Sequence, residues 1–167
     1  LLLARHRGAA FVAVTDPNAC RRDLVRTLGA DLAVDSNAVD MIQGLLDGTG
    51  GQGFSVVIFC VSSIKPIRQV LDAMEGGSYR LLAPGARVNL FSGLDPGDTS
   101  MTLDARSLFY QGVSIISSVN STPHDNGEAL QLIASGALDV EPLVTARLPL
   151  SRVAEAIQLV LSRPRVH

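Results

Sequence analysis

The sequence predicts an α/β protein built as a doubly wound parallel sheet. Three observations carry that expectation: short apolar runs rich in β-branched residues, polar turn chemistry where those runs stop, and amphipathic helical spacing after them. The stretch at 10–29, AFVAVTDPNACRRDLVRTLG, shows all three. Residues 10–14 are apolar, as in a strand buried on both faces. Thr15, Asp16, Pro17 and Asn18 are turn formers. Leu24, Val25 and Leu28 then share one helical face, with Arg21, Arg22, Asp23 and Arg26 on the other. Asn18 is placed to cap this helix and Gly29 to end it.

The remaining elements follow the same logic. Residues 1–7 read as the second half of an amphipathic helix that Gly8 ends. Residues 30–35 form a short strand closed by Asp35, and Ser36 or Asn37 is placed to cap a helix over 38–47 with Val39, Ile42, Leu45 and Leu46 at helical spacing. The glycine-rich run at 48–53 reads as a plain turn, because no strand precedes it and no helix start follows it. SVVIFCV at 55–61 is the strongest strand pattern in the chain. Pro66 sits in the first turn of the next helix, which turns Ile67, Val70, Leu71 and Met74 inward; Gly76 and Gly77 break it, and one more turn is expected at 79–82. A tight turn at 83–85 leads into a strand at 87–91, a loop runs to about Thr99, and a short helix or turn covers 103–110. A strand at 113–117, a helix over 124–135 and a last helix over 152–161, with Val153, Ala156, Ile157 and Val160 in register, complete the chain.

Composition narrows the function. The 167 residues make one domain's worth of chain, 47% hydrophobic with 15 Gly and 8 Pro. A net charge of −2 with Arg spread throughout gives neither a nucleic-acid footprint nor a polybasic membrane patch. No apolar run approaches the roughly 20 residues that span a bilayer, and Leu1-Leu2-Leu3 before Arg5 is too short for a signal peptide. Cys20 and Cys60 are isolated and read as reduced thiols in a cytoplasmic setting, and His6, His124 and His167 are scattered, so no metal site is assembled from this chain.

One residue type stands where ligands bind. Open α/β sheets take ligands at the carboxyl ends of their strands, and dinucleotide-binding folds place an acid at such an end to accept hydrogen bonds from ribose hydroxyls. Asp16 occupies that position; the same residue would equally serve as an ordinary turn former.

The phrases TDPNACRR, LGADLAVD, SVVIFCVSS, LLAPGARVNLFSGL and EALQLIASGALDVEPLVTARLPLSRVAEAI occur in one order. Together they resemble the cofactor-binding half of the medium-chain dehydrogenase/reductases, and most of all their zinc-dependent alcohol, polyol and threonine dehydrogenase branch. The resemblance covers nearly the whole chain. It implies a Rossmann-like fold, incomplete here because the first strand and the glycine-rich loop would lie before Leu1. The chain is therefore expected to be a fragment: 1–135 a partial NAD-binding domain, and 136–167 a segment returning toward a catalytic domain outside it.

The resemblance also implies a reaction and a site. The reaction is oxidation of a secondary alcohol or polyol, or reduction of the ketone, with hydride passing to NAD and zinc held by the missing amino-terminal domain acting as Lewis acid. Asp16 matches the ribose-binding acid and Arg21 the basic residue beside the adenosine. Cys60, Val61 and Ser62 match the strand end that passes the nicotinamide ribose, and Phe91, Ser92 and Gly93 the strand end near the carboxamide; turn formation alone would also account for Ser and Gly there. An acid at Asp16 favours NAD over NADP by repelling a 2′-phosphate, whereas Arg21 and Arg22 weigh the other way. Residues 117–120 would lie beside the substrate cleft or at a subunit edge, with Ser and Val where polyol dehydrogenases carry Arg and Tyr.

Further expectations concern assembly. The partner is a small-molecule alcohol or polyol, not nucleic acid or membrane. The resemblance implies that the 113–117 strand pairs across a two-fold axis in a homo-oligomer. Without a first strand, the strands at 10 and 55 would carry open edges and either close on each other or recruit a strand from another chain. Alone, the chain is expected to bind NAD weakly or not at all and not to catalyse. The alternatives are a non-catalytic nucleotide-binding or assembly module, or a zinc-free quinone reductase relative.

Overall fold

A computed structural model describes residues 1–75, 81–97 and 99–162. It is an α/β fold in which every described strand pairing is parallel. Helix α1 (Leu2–His6) leads to β1 (Ala13–Thr15), α2 (Ala19–Thr27), β2 (Leu32–Val34), α3 (Met41–Gly48), β3 (Phe54–Phe59) and α4 (Ile64–Glu75). Then come β4 (Leu82–Leu90), α5 (Ala105–Gln111), β5 (Ser114–Ser117), α6 (Pro123–Ala134) and α7 (Val153–Leu161), with 3-10 turns at Glu141–Leu143 and Leu150–Arg152. None of the described helices is long and apolar enough to cross a membrane.

The strands form two sheets, β1-β2 and β3-β4-β5. The open edges expected near residues 10 and 55 do not close on each other: among the described residues β1 pairs with β2 alone and β3 with β4 alone. The pieces are joined by packing instead. The rings of Phe11 and Phe54 lie 6.3 Å apart, and Met41, Leu45 and Leu46 of α3 share one core with Phe59, Ile67, Val70, Leu71, Leu82, Ala86 and Val88, against which Ala13, Leu32 and Val34 pack.

The expected β1 run at 10–14 contracts to Ala13–Thr15 because polar side chains take the backbone groups before it. Arg5 donates to the carbonyls of Ala9 and Ala10 at 3.0 and 3.1 Å and of Gly29 at 2.7 Å, and pairs closely with the Asp31 carboxylate. Asp31 in turn accepts the Val12 N–H at 2.7 Å. The 38–47 helix starts instead at Met41, with Asp40 as a cap that makes no side-chain bond. Ser36 and Asn37 are not its caps, because Asp35 draws them into a turn by accepting the Asn37 N–H at 2.9 Å. Three other caps follow from composition. Asn18 accepts the Arg21 N–H, Asp104 the Arg106 N–H, and Thr122 exchanges bonds with Asp125 in a capping box.

Strand β4 begins at Leu82 and carries the 83–85 turn within it as a register shift. Phe54 faces Leu82 but Val56 faces Arg87, with Gly85 at φ 75°. The break at Gly76 and Gly77 and the turn through Tyr79 and Arg80 lie outside the described residues, as do His167 and the side chain of Met74.

Among the described residues, sheet β3-β4-β5 is covered on one face only. Val57, Phe59, Val88, Leu90 and Ile115 belong to or pack on the core, whereas Val56, Ile58 and Ile116 are 47%, 55% and 48% exposed. The run at 10–14, expected to be buried on both faces, is likewise only partly covered: no residue of β1 is buried. The last helix departs in the same way: Val153, Ile157 and Val160 share a face but stay exposed, so their spacing is helical without being covered in this chain.

Ile67, Leu71 and Val88 are the largest fully enclosed side chains. Leu71→Ala is expected to destabilise the fold by about 2–5 kcal/mol in denaturant unfolding, the range for emptying a closed core site. Asp31 titrates below its ordinary value, first because the Val12 N–H binds its carboxylate and then because Arg5 does. The depressed folded value means that this stabilisation is present at neutral pH and lost as acid protonates the carboxylate. Asp31→Asn is expected to flatten the fall of stability below about pH 4, read by unfolding at successive pH values.

Candidate functional site

Seven of the eight residues singled out from the sequence follow the carboxyl ends of β1, β3 and β4; the eighth, Arg21, lies in the first turn of α2. Asp16 directly follows β1. Its N–H donates to the Val34 carbonyl at 3.2 Å, its carbonyl accepts from Arg22 Nη1 at 2.7 Å, and its Oδ1 accepts the Asn18 N–H at 2.7 Å. Three bonds thus hold the turn, and among the described residues Oδ2 faces only Arg21 Nη1, at 3.4 Å, near the outer limit for a hydrogen bond. The Arg21 side chain is 53% exposed, so this pair is loose and solvent-screened.

Cys60, Val61 and Ser62 follow β3, and Phe91, Ser92 and Gly93 follow β4. The two ends adjoin: the Phe59 carbonyl accepts the N–H groups of Phe91 and Ser92 at 3.1 and 3.3 Å, and the Ser62 carbonyl accepts the Asp95 N–H at 2.8 Å. Parallel pairing of β3 and β4 makes this inevitable, since it puts both carboxyl ends at one edge. Gly93 needs no glycine sterically, as a Cβ there would meet open space. Among the described residues no hydrogen bond or ion pair joins Asp16 and Arg21 to the second group; Asp16 follows β1 of the smaller sheet and Arg21 lies on the helix after it.

Strand β5 extends the rim. Phe91, Ser118, Asn120 and Ser121 line a cleft of about 670 Å³ beside the ends of β4 and β5. Asn89 Nδ2 donates to Ser118 Oγ at 2.8 Å and ties the two strand ends together. Asn120 holds φ 62°, a left-handed backbone that Asn tolerates better than most residues. Ser62, Ser63, Asp95 and Thr99 contribute to a second, smaller cleft over the start of α4.

Sequence reasoning missed Asp35 and the work of Arg22. Asp35 follows β2 as Asp16 follows β1, and the same rule of an acid at a strand end could have found it. Arg22 Nη2 lies 3.2 Å from Asp35 Oδ2, and its side chain is only 15% exposed. Nothing in the sequence separates Arg22 from Arg21.

No group of three or more His, Cys, Asp or Glu side chains that could hold a metal ion occurs among the described residues. Cys20 and Cys60 are free and exposed. The described residues therefore do not offer the clustered ligand set that a zinc ion needs.

Residues 1–135 match the family model described as zinc-binding dehydrogenase. The chain is 27% identical over 160 residues to L-threonine 3-dehydrogenase of Anaeromyxobacter sp. (strain Fw109-5), covering 96% of this chain and 43% of that protein. It is 29% identical over 161 residues to sorbitol dehydrogenase of Macaca fascicularis, covering 95% and 42%. Among solved structures it superposes with a TM-score of 0.76 and 25% identity on a Sinorhizobium meliloti 1021 protein, described as a zinc-binding dehydrogenase and bound to NADP; 93% of this chain and 43% of that one are covered. The chain thus spans about two fifths of the length of the curated relatives it matches. With the match over residues 1–135, more than half of its length, this chain belongs to the zinc-binding dehydrogenase family.

Proposed function

We propose that this chain is the cofactor-binding part of a nicotinamide-dependent oxidoreductase that oxidises a secondary alcohol or polyol, or reduces the corresponding ketone, with zinc held by residues outside the chain. The observation that carries the reading is Asp16: a carboxylate at a strand end, with Oδ1 and both backbone groups engaged and Oδ2 facing, among the described residues, only a loose arginine. Such an oxygen suits a vicinal diol, because an incoming hydroxyl replaces a weak ion pair and makes a charge-assisted bond.

In this reading Asp16 and Arg21 hold the adenosine ribose. Cys60, Val61 and Ser62 flank the nicotinamide ribose, and Phe91, Ser92 and Gly93 flank the carboxamide. A bound nicotinamide would supply the hydride acceptor or donor; the chain's part is to seat and orient it. NAD is favoured over NADP, since a carboxylate at Asp16 repels a 2′-phosphate. The NADP-bound relative is the counterweight.

The relatives named for sorbitol and L-threonine support a hydroxylated small molecule as substrate. The cleft of Ser118, Asn120 and Ser121 offers hydroxyl and amide groups that such a substrate could meet. We assign 1–135 to the cofactor domain and 136–167 to a segment returning toward the catalytic part. The exposed β5 edge supports pairing with a second copy, and free thiols suit a cytoplasmic setting.

In the enzyme that carries this chain, Asp16→Asn is expected to raise KM for NAD by about tenfold or more, the worth of one charge-assisted hydrogen bond, with kcat at saturating NAD little changed. An unaltered KM would refute the assignment. The 167 residues alone are expected to show no alcohol oxidation and at most weak NAD binding; micromolar binding in titration calorimetry would contradict this.

A further inference from the structure

Arg21 and Arg22 are adjacent on α2, yet the structure gives them different work. Arg21 is exposed and touches Asp16 loosely. Arg22 is largely covered and uses both terminal nitrogens of its guanidinium: Nη1 donates to the Asp16 carbonyl at 2.7 Å, and Nη2 pairs with Asp35 Oδ2 at 3.2 Å. Asp16 ends β1 and Asp35 ends β2, so one planar cation bridges the carboxyl ends of neighbouring parallel strands. Asp35 is itself held, since its Oδ1 accepts the Asn37 N–H at 2.9 Å. A guanidinium suits this role because its donors form a rigid fork, and a lysine ammonium would serve one acceptor well but not both at fixed geometry.

We propose that Arg22 is a positioning residue for nucleotide selection: by clamping the Asp16 carbonyl to Asp35 it fixes the Asp16 carboxylate at the rim, and by that same pairing it is withheld from a 2′-phosphate. The inference rests on Asp16 being the ribose acceptor. Of the two arginines that weigh toward NADP in the sequence, the structure neutralises Arg22 with a carboxylate and leaves Arg21 beside the acid. Without Arg22, the part-buried Asp16 carbonyl loses its donor, and the turn that aims Oδ2 keeps only the Val34 and Asn18 bonds.

The test uses the enzyme carrying this chain and three probes that differ only at the ribose 2′ position: adenosine 5′-monophosphate, its 2′-deoxy form, and adenosine 2′,5′-bisphosphate, each titrated by calorimetry. The unaltered enzyme is expected to prefer the monophosphate over the deoxy form by about tenfold, the contribution of one hydrogen bond to a charged group. Arg22→Leu is expected to reduce that ratio to about threefold or less, with Arg22→Lys recovering part of it, as loss of one donor to a carbonyl predicts. Asp35→Asn is expected to strengthen bisphosphate binding relative to monophosphate by about three- to fivefold, the size of an exposed charge contribution.

A merely structural Arg22 would weaken all three probes alike and leave their ratios unchanged; that result in a folded Arg22→Leu overturns the proposal. Should Arg22→Leu fail to fold, Arg22→Lys and Asp35→Asn decide, and an unchanged bisphosphate ratio in Asp35→Asn overturns it. An unaltered enzyme that does not distinguish the monophosphate from its deoxy form would instead refute the ribose assignment of Asp16, and the inference with it.

Discussion

Val88 has no exposed surface, and most of the fold can be traced to what encloses it. It lies on β4, between β3 and β5, in register with Val57 and Ile115. Parallel neighbours cannot be joined by a hairpin, so the chain must cross back over the sheet each time, and the crossing segment needs an apolar stripe. Helix α4 supplies Ile67, Val70 and Leu71, all buried in the cluster that holds Val88. This crossover geometry also decides where chemistry can sit. It sends each strand the same way, so Cys60 to Ser62 and Phe91 to Gly93 arrive together and are fastened through the Phe59 carbonyl.

The opposite face of the same sheet shows what an apolar pattern leaves open. Val56, Ile58 and Ile116 have the β-branched character of strands covered on both sides, yet here they meet solvent. Helix α7 repeats the theme with Val153, Ile157 and Val160, and α6 with Leu130 and Ile133. Periodicity tells a residue which neighbours share its face. It does not name the surface that covers that face, because hydrophobic attraction is non-directional.

Charge placement on the smaller sheet is more specific. Arg5 gathers the carbonyls of Ala9, Ala10 and Gly29 together with Asp31, and so organises the entry to both strands. Arg22 does the equivalent at their exit by joining Asp16 and Asp35. A short two-stranded sheet has little core of its own, since only Ala33 of its residues is buried. Forked cations at both ends supply directional bonds where apolar area is scarce.

The sequence by itself determined the element types and their order, the parallel class, the helix cap at Asn18, and the strand-end positions of Asp16, Ser62 and Ser92. These are local matters: periodicity, turn chemistry and capping act within a few residues, and each is written in the residue types. Tertiary structure decided the rest. It shortened the strand before Asp16 because Arg5 and Asp31 took its backbone groups. It moved the start of α3 to Met41 because Asp35 held the turn ahead of it, and it divided the sheet between β1 and β3. It also gave adjacent arginines opposite roles, since α2 turns Arg22 toward Asp35 and Arg21 toward solvent. Each of those outcomes depends on a partner distant in sequence or on a direction around a helix, and residue identity alone encodes neither.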